Sequence, residues 1–324
     1  MDVYRHTHDL PASARGGVVA IGNFDGVHRG HRSVLAEAQA RAEALGTHVS
    51  VLTFEPHPRS LFQPDKPPFR LSSMRTRLRI LEAIGIDAVF VLHFDWDFAK
   101  ITAESFVEDM LAGDMGVAHV VIGEDFRYGH KRRGDADLLR QLGQRHGFGV
   151  SALPPVLDDA GEVISSSRVR TALQQGEPRE AQRLLGRPWE LEGRVEHGAQ
   201  RGREIGFPTA NLRLGDYLEP MHGIYAMRAG IDAGPDTLWM DGVGYVGRRP
   251  VVDGEEVLLE VHLFDIAADL YGKHLRVQTI EFLRGDFAFD SLQAMRAQIA
   301  EDYTAARRVL ADEPPAVPVE RQRA

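Results

Sequence analysis

Through the first half of the chain, short apolar-rich runs alternate with stretches whose apolar residues recur at helical spacing. Runs at 18–21, 49–54, 88–92 and 117–122 have strand length and continuous apolar character, the pattern of strands buried on both faces. Between them, residues 31–45, 74–84 and 103–111 place apolar side chains three and four apart, which predicts helices. Another helix is expected over 135–146, with Leu138, Leu139 and Leu142 on one face. Strands alternating with helices predict βα units and a parallel sheet with helices on both sides, an α/β domain. Two short helices, 166–174 and 178–185, follow.

From Trp189 the helical period disappears. Apolar stretches at 190–197, 223–229, 238–243, 257–264 and 274–282 are separated by glycine-rich turns, which predicts a small antiparallel β-barrel or sandwich. The last element is a helix over 291–310, with Asp290 as its cap and Gln293 three residues on. Leu292, Met295, Ile299, Tyr303, Ala306 and Leu310 form one stripe, expected to pack on the barrel. These patterns divide the chain into domains 1–186 and 187–311, with the boundary near Gly186. The Pro- and charge-rich tail, 312–324, is expected to be disordered.

Composition narrows the classes. The chain has 324 residues, 43% hydrophobic and 26% charged, with a net charge of −9, which fits a globular enzyme. It provides no overall basic field, so nucleic acid is not an expected partner. No apolar run reaches membrane-spanning length and the first residues lack a signal core; the expectation is a cytoplasmic protein without membrane contact. Cysteine is absent, which removes disulfides, thiolate metal sites and cysteine nucleophiles. Arginine far outnumbers lysine, and asparagine occurs only at Asn23 and Asn211. Where composition selects against asparagine, the two positions that keep it invite a reason.

Asn23 lies in VVAIGNFDGVHRGHRSVL, a buried run followed by glycines and a helix start. Free N–H groups and the positive dipole end of a helix favour an anion there. His28 and His31 flank Gly30 at that end and can donate hydrogen bonds to phosphate oxygens; Gly22, Asn23 and Asp25 shape the loop or contact the ligand. Taken alone, the histidines fit a loop-and-cap role as well as a phosphate site. A zinc site would need a third ligand, for which Asp25 is the nearest group. In the second half, GRVEHGAQRGREIGFPTANLRL combines a glycine- and arginine-rich loop with Thr209 and Asn211, whose uncharged oxygens suit a magnesium ion carried by nucleotide phosphates. Glu260 stands within the apolar run VLLEVHLFD, where a carboxylate is costly unless edge-exposed, paired or functional. Gly242, Gly244 and Gly247 spell GxGxxG, but an extended segment follows instead of a helix, so no dinucleotide fingerprint is expected. No GxxxxGK[ST] occurs, so neither nucleotide site is a Walker P-loop.

Four blocks in order, GNFDGVHRGH, TFEPHPRSLF, VIGEDFRYGHKRRGD and ISSSRVR, resemble the HxGH-type nucleotidyltransferase half of the bacterial bifunctional riboflavin kinase/FAD synthetases. GFPTANL, EVHLFD, DLYGKHLRV and FLRGDFAFDSLQAMRAQI resemble the riboflavin kinase half of the same family. The resemblance covers residues 18 to 310. It implies a Rossmann-like nucleotidyltransferase domain followed by a kinase barrel with a C-terminal helix. It implies phosphorylation of riboflavin to FMN by ATP, then adenylylation of FMN to FAD with release of pyrophosphate. ATP, riboflavin, FMN and FAD are then substrates and products, and Mg2+ accompanies ATP. Carried over by position, His28 and His31 hold the ATP phosphates. Ser165, Ser166, Ser167 and Arg168 bind phosphate at a second helix start. Asp125 and Arg132 lie near nucleotide or flavin, and His57 is a further contact. Gly202 and Gly206 belong to the kinase nucleotide loop, and Thr209 and Asn211 bind Mg-ATP. Glu260 is the general base on the ribityl hydroxyl, and Arg284 helps cover the flavin. Departures occur at Glu124, where an aromatic residue is common, at Ser167 in place of Thr, and at Tyr245, Arg248 and Val251 in the segment resembling ANIGTRPT. Two other readings are an HxGH nucleotidyltransferase for a different acceptor, which the kinase-like second half disfavours, and a non-catalytic flavin- or nucleotide-binding regulator, which the intact motifs disfavour.

Overall fold

The computed structural model describes residues 1–196, 209–251, 254–265 and 270–313. Two compact units emerge. The first comprises Met1–Lys66 with Arg77–Ile164, and the second comprises Pro67–Thr76 with the described residues from Ser165 onward.

The first unit is built on six parallel strands: β1 Asp2–Tyr4, β2 Val18–Ile21, β3 Val49–Glu55, β4 Ala88–His93, β5 His119–Gly123 and β6 Gly149–Leu153. Their order across the sheet is β1-β4-β3-β2-β5-β6. Every residue of β2 is buried, as the unbroken VVAI run requires of a central parallel strand. The expected helices are present as Arg29–Leu45, Met74–Ala83 and Ala136–His146, the last capped by Asp135, which accepts the Leu138 N–H at 3.0 Å. The helix expected over 103–111 starts at Ala103 but continues as a π-helix over Phe106–Asp114, a wider winding that spacing alone does not reveal. Sequence patterning missed β1, β6 and the five-residue helix Pro58–Phe62. The first two are three and five residues long and sit at the sheet edges, where burial imposes the weakest pattern.

The second unit is an antiparallel sheet: β7 Trp189–Arg194, β8 Ala210–Arg213, β9 Gly223–Ile231, β10 Met240–Val251, β11 Gly254–Leu263 and β12 His274–Arg284. The order is β7-β12-β9-β10-β11-β8. Beyond β7, the Glu196 N–H donates to the Asn211 carbonyl on β8 at 2.9 Å, which brings the ends together into a nearly closed barrel. Strand β10 is twelve residues long. The expected strand at 238–243 therefore started too early, since Leu238 is exposed, and stopped too soon. Gly242 allows close strand packing: a Cβ there would lie 2.5 Å from the His262 carbonyl oxygen. The GxGxxG triplet thus sits inside a strand, with no helix after it. The four residues of β8 were missed because the run is short and follows a proline.

The final helix, Leu292–Asp312, is capped by Ser291, which accepts the Ala294 N–H at 3.1 Å. Asp290, the expected cap, stands one position too early. Only the C-terminal part of the expected stripe is buried. Ala306 and Leu310 pack with Ala226, Phe264 and Ile280, whereas Leu292 remains exposed. The buried Arg228 guanidinium bonds Asp241 at 2.9 Å, the Leu310 carbonyl at 3.0 Å and the Glu313 carbonyl at 3.2 Å. It thereby supplies donors and positive charge to the helix C-terminus, where unpaired carbonyls need both. Arg228→Ala is expected to destabilise the second unit by about 2 kcal/mol or more, read as a lowered midpoint in urea unfolding followed by circular dichroism.

Candidate active sites

In the first unit the strand order reverses at β2: the chain first builds outward through β3 and β4, then continues on the other side through β5 and β6. Ligands of open α/β sheets bind beyond the carboxyl ends of strands at such a switch point. The loop after β2, residues 22–28, and the loop after β5, residues 124–135, leave the sheet there. Phe24, Gly26 and Val27 all adopt positive φ, at 49°, 81° and 42°. For Phe and Val that conformation costs energy and persists only when the surroundings enforce it; here both side chains are buried. The loop is also held from behind. The fully buried Arg77 donates from an Nη to the Asn23 carbonyl at 3.0 Å, and the Thr53 hydroxyl donates to the same carbonyl at 3.3 Å. The Asn23 side-chain Oδ1 is buried and, among the described residues, accepts no hydrogen bond.

His28 is the N-cap of the Arg29–Leu45 helix, its Nδ1 accepting the His31 N–H at 3.3 Å. An accepting Nδ1 is unprotonated, so a neutral ring carries its hydrogen on Nε2, on the edge away from the helix. The structure shows the cap role of this histidine. The two rings stack with centroids 3.6 Å apart, and His31 meets the edge of Phe24 at 5.2 Å. Gly30 sits in a tight place: a Cβ there would lie 3.1 Å from His28 Nδ1 and 3.1 Å from the Ile164 carbonyl, so these neighbours would have to give way. Asp25 is buried in the same loop.

The other expected residues of this unit stand at neighbouring strand ends. His57 caps Pro58–Phe62 beyond β3 by accepting the Arg59 N–H at 3.0 Å. Asp125 and Arg132 are exposed in the loop after β5, with Arg132 at φ 58°. Sequence reading missed Arg77. The available signal was an arginine in the apolar stripe of its helix, three and four residues before Ile80 and Leu81.

In the second unit, Ser165 caps Ser166–Gln174 by accepting the Arg168 N–H at 3.3 Å. Ser166 and Ser167 form the first turn, and the Arg168 guanidinium reaches Glu180 at 3.2 Å. On the barrel, Glu260 pairs directly opposite Asn211 on β8 and opposite Tyr245 on β10. Side chains of directly opposed residues share a face, so these three lie side by side, on the opposite face from the buried Leu212, Val246 and Leu259. Thr209 is half-buried, immediately before β8. Gly202 and Gly206 lie outside the described residues. Arg284 forms a two-pronged ion pair with Asp302 of the last helix, at 2.8 and 2.7 Å, and stacks over Phe287 at 4.5 Å. Elsewhere on this unit, Glu192, Asp232 and His274 bring ligand-type atoms within 4.8 Å of one another. Arg75 already bonds Asp232 at 2.6 Å, and the Ser73 hydroxyl donates to Glu192, so the trio forms part of a protein-internal network.

Capped helix starts in one unit and a carboxylate-bearing barrel face in the other are arrangements that a phosphate-group transferase can use. Comparison with known proteins gives the particular family. An FAD synthetase family model matches residues 10–168 and a riboflavin kinase family model matches residues 185–310. The bifunctional riboflavin kinase/FMN adenylyltransferase of Escherichia coli K12 is 42% identical over 309 residues, covering 95% of this chain and 97% of that protein. The Pseudomonas fluorescens protein of the same description is 41% identical, covering 96% and 98%. A crystal structure from Streptococcus pneumoniae, described as a macrolide-efflux protein, superposes with a TM-score of 0.84 at 30% identity over 95% of this chain and 99% of that one. Among the described residues here, no helix is long and apolar enough to cross a membrane. The chain belongs to the bifunctional riboflavin kinase/FMN adenylyltransferase family, with its nucleotidyltransferase in the N-terminal part and its kinase in the C-terminal part.

Gly30→Ala is expected to push the His28 ring off its cap and lower FMN adenylylation by about 10-fold or more, since misplacement on the order of 1 Å is severe for positioned groups. Riboflavin phosphorylation by the same preparation should be unchanged, as steady-state assays of both steps would read.

Proposed function

We propose that residues 1–186 carry adenylyl transfer and residues 187–311 carry the kinase, with the residue roles that follow. The observation that carries the first half is the capped His28–His31 pair at a helix start beyond β2. An oxygen of the FMN phosphate attacks the α-phosphorus of ATP and pyrophosphate leaves; the substrate is itself the nucleophile. The enzyme then has to position the reactants and stabilise charge. His28 Nε2–H, His31 and the helix N–H groups donate to the phosphates, while Gly22 and Gly30 let backbone approach closely. Asn23, with its buried amide, and Asp25 contact the nucleotide. His57, Asp125 and Arg132 bound the nucleotide or flavin, and Ser165, Ser166, Ser167 and Arg168 take phosphate at their own helix start.

In the kinase, Glu260 accepts the proton of the ribityl hydroxyl as that oxygen attacks the γ-phosphorus of ATP. Its place beside Asn211 supports this role. Thr209 and Asn211 offer the hard, uncharged oxygens that fit Mg2+ bound to nucleotide phosphates. When bound, the ion neutralises charge developing on the transferred phosphoryl group. Gly202 and Gly206 complete the nucleotide loop, and Arg284 borders the flavin, its charge balanced by Asp302. The working partners are ATP, riboflavin, FMN and FAD, in the cytoplasm, without nucleic acid or membrane.

The two sites should be separable. His31→Ala is expected to lower FMN adenylylation by about 100-fold or more and spare riboflavin phosphorylation; Glu260→Gln should do the reverse, by about 100-fold or more. Chromatography of reactions containing riboflavin, ATP and magnesium reads both steps at once. Loss of both activities in either folded single variant would sink the two-site assignment.

A further inference from the structure

The segment resembling ANIGTRPT departs from its pattern at Tyr245, and the departure has a partner. The Tyr245 hydroxyl donates to Asp286 Oδ2 at 2.6 Å. Tyr245 lies directly across from Glu260 in the β10–β11 pairing and across from Ile224 in the β9–β10 pairing. The phenol folds along its own strand over Gly247, where a Cβ would come 2.0 Å from the Tyr245 hydroxyl oxygen. Residue 247 must therefore be glycine for the ring to lie this way. Burial first, and then the Asp286 carboxylate and the nearby Glu260, push the Tyr245 phenol above its ordinary range, so it stays a neutral donor.

Asp286 belongs to the stretch 285–290, which joins β12 to the last helix. One end of this stretch is fixed by the Arg284–Asp302 ion pair. Within it, Phe287 and Phe289 pack on each other with centroids 4.8 Å apart, both over the Arg284 guanidinium at 4.5 and 6.0 Å. Phe287 is 48% exposed, an apolar ring surface suited to a planar aromatic ligand. The Tyr245–Asp286 bond fastens this aromatic stretch to the strand that neighbours Glu260.

We propose that Tyr245 is a positioning residue of the kinase: its bond to Asp286 holds residues 285–290 beside the Glu260 strand, so that the flavin ring meets a preset wall. The proposal rests on the assignment of Glu260 to the kinase centre. Holding the wall in advance removes an ordering cost from flavin binding, so the latch acts on affinity while leaving the phosphoryl step alone.

The test uses the full-length protein with riboflavin as the varied substrate. Tyr245→Phe keeps the ring over Gly247 and removes only the donor. It should raise the KM for riboflavin about five- to tenfold, leave kcat within about twofold, and leave FMN adenylylation unchanged. Asp286→Ala should reproduce that shift, and the double variant should be no worse than either single one. Asp286→Asn, which retains an acceptor oxygen, should recover most of the affinity. An unchanged KM in Tyr245→Phe would overturn the proposal, as would additive effects in the double variant or a loss confined to kcat. Glu260→Gln, assayed in parallel, separates the two claims. Full activity there refutes the base assignment, whereas a KM shift in Tyr245→Phe reports on the latch alone.

Discussion

A helix start presents N–H groups that nothing inside the helix can satisfy, and this requirement organises the nucleotide-handling parts of the chain. Most of the named starts solve it with a side chain: Thr102, Asp135 and Ser291 are ordinary caps. At Arg29 the cap is an imidazole, and at Ser166 a serine within a run of three. The same need that stabilises the fold thus shapes these two corners, and strained backbone at Phe24 and Val27 is tolerated in the loop that leads into one of them. The buried Arg77 holds that loop from below through the Asn23 carbonyl. Fold and site share one set of hydrogen bonds here.

The barrel works by a different rule. The proposed kinase chemistry depends on register, because side chains alternate faces and a one-residue slip would move Glu260 to the face of Leu212, Val246 and Leu259. Direct opposition of Asn211, Glu260 and Tyr245 is fixed by long ladders on both sides of β11 and β10. The interior residues Leu212, Val246 and Leu259 are nearly completely buried. Their burial locks the register that brings Asn211, Glu260 and Tyr245 together. Glu260 shares its face with Leu258, His262 and Phe264, all buried, and is itself half-buried.

Much of this was legible in the sequence. Central strands announced themselves because burial on both faces forces continuous apolar runs, as at 18–21 and 49–54. The short helices Ser166–Gln174 and Pro178–Leu185 fell where spacing put them. What escaped has physical causes. Edge strands such as Asp2–Tyr4 are too short to carry a period. Strand β10 was cut short at residue 243 because its glycine-rich second half lacks a continuous apolar period. The cap of the last helix shifted from Asp290 to Ser291 because both residues suit the position and only backbone geometry chooses. Arg77 was invisible because arginine is read as surface, and Tyr245 stood out as a departure without disclosing Asp286, forty-one residues away.

Asn211 divides its duties between backbone and side chain. Its carbonyl accepts from Glu196 and closes the barrel, while its buried side chain lies on the same face as Glu260. Closure uses an atom that every amino acid possesses. The seam therefore places no demand on the identity of residue 211. A lineage could exchange the side chain, lose or retune phosphoryl transfer, and still inherit an intact barrel. In this respect the position is evolutionarily cheap to explore, unlike Gly30 or Gly247, where a side chain would displace a neighbouring ring.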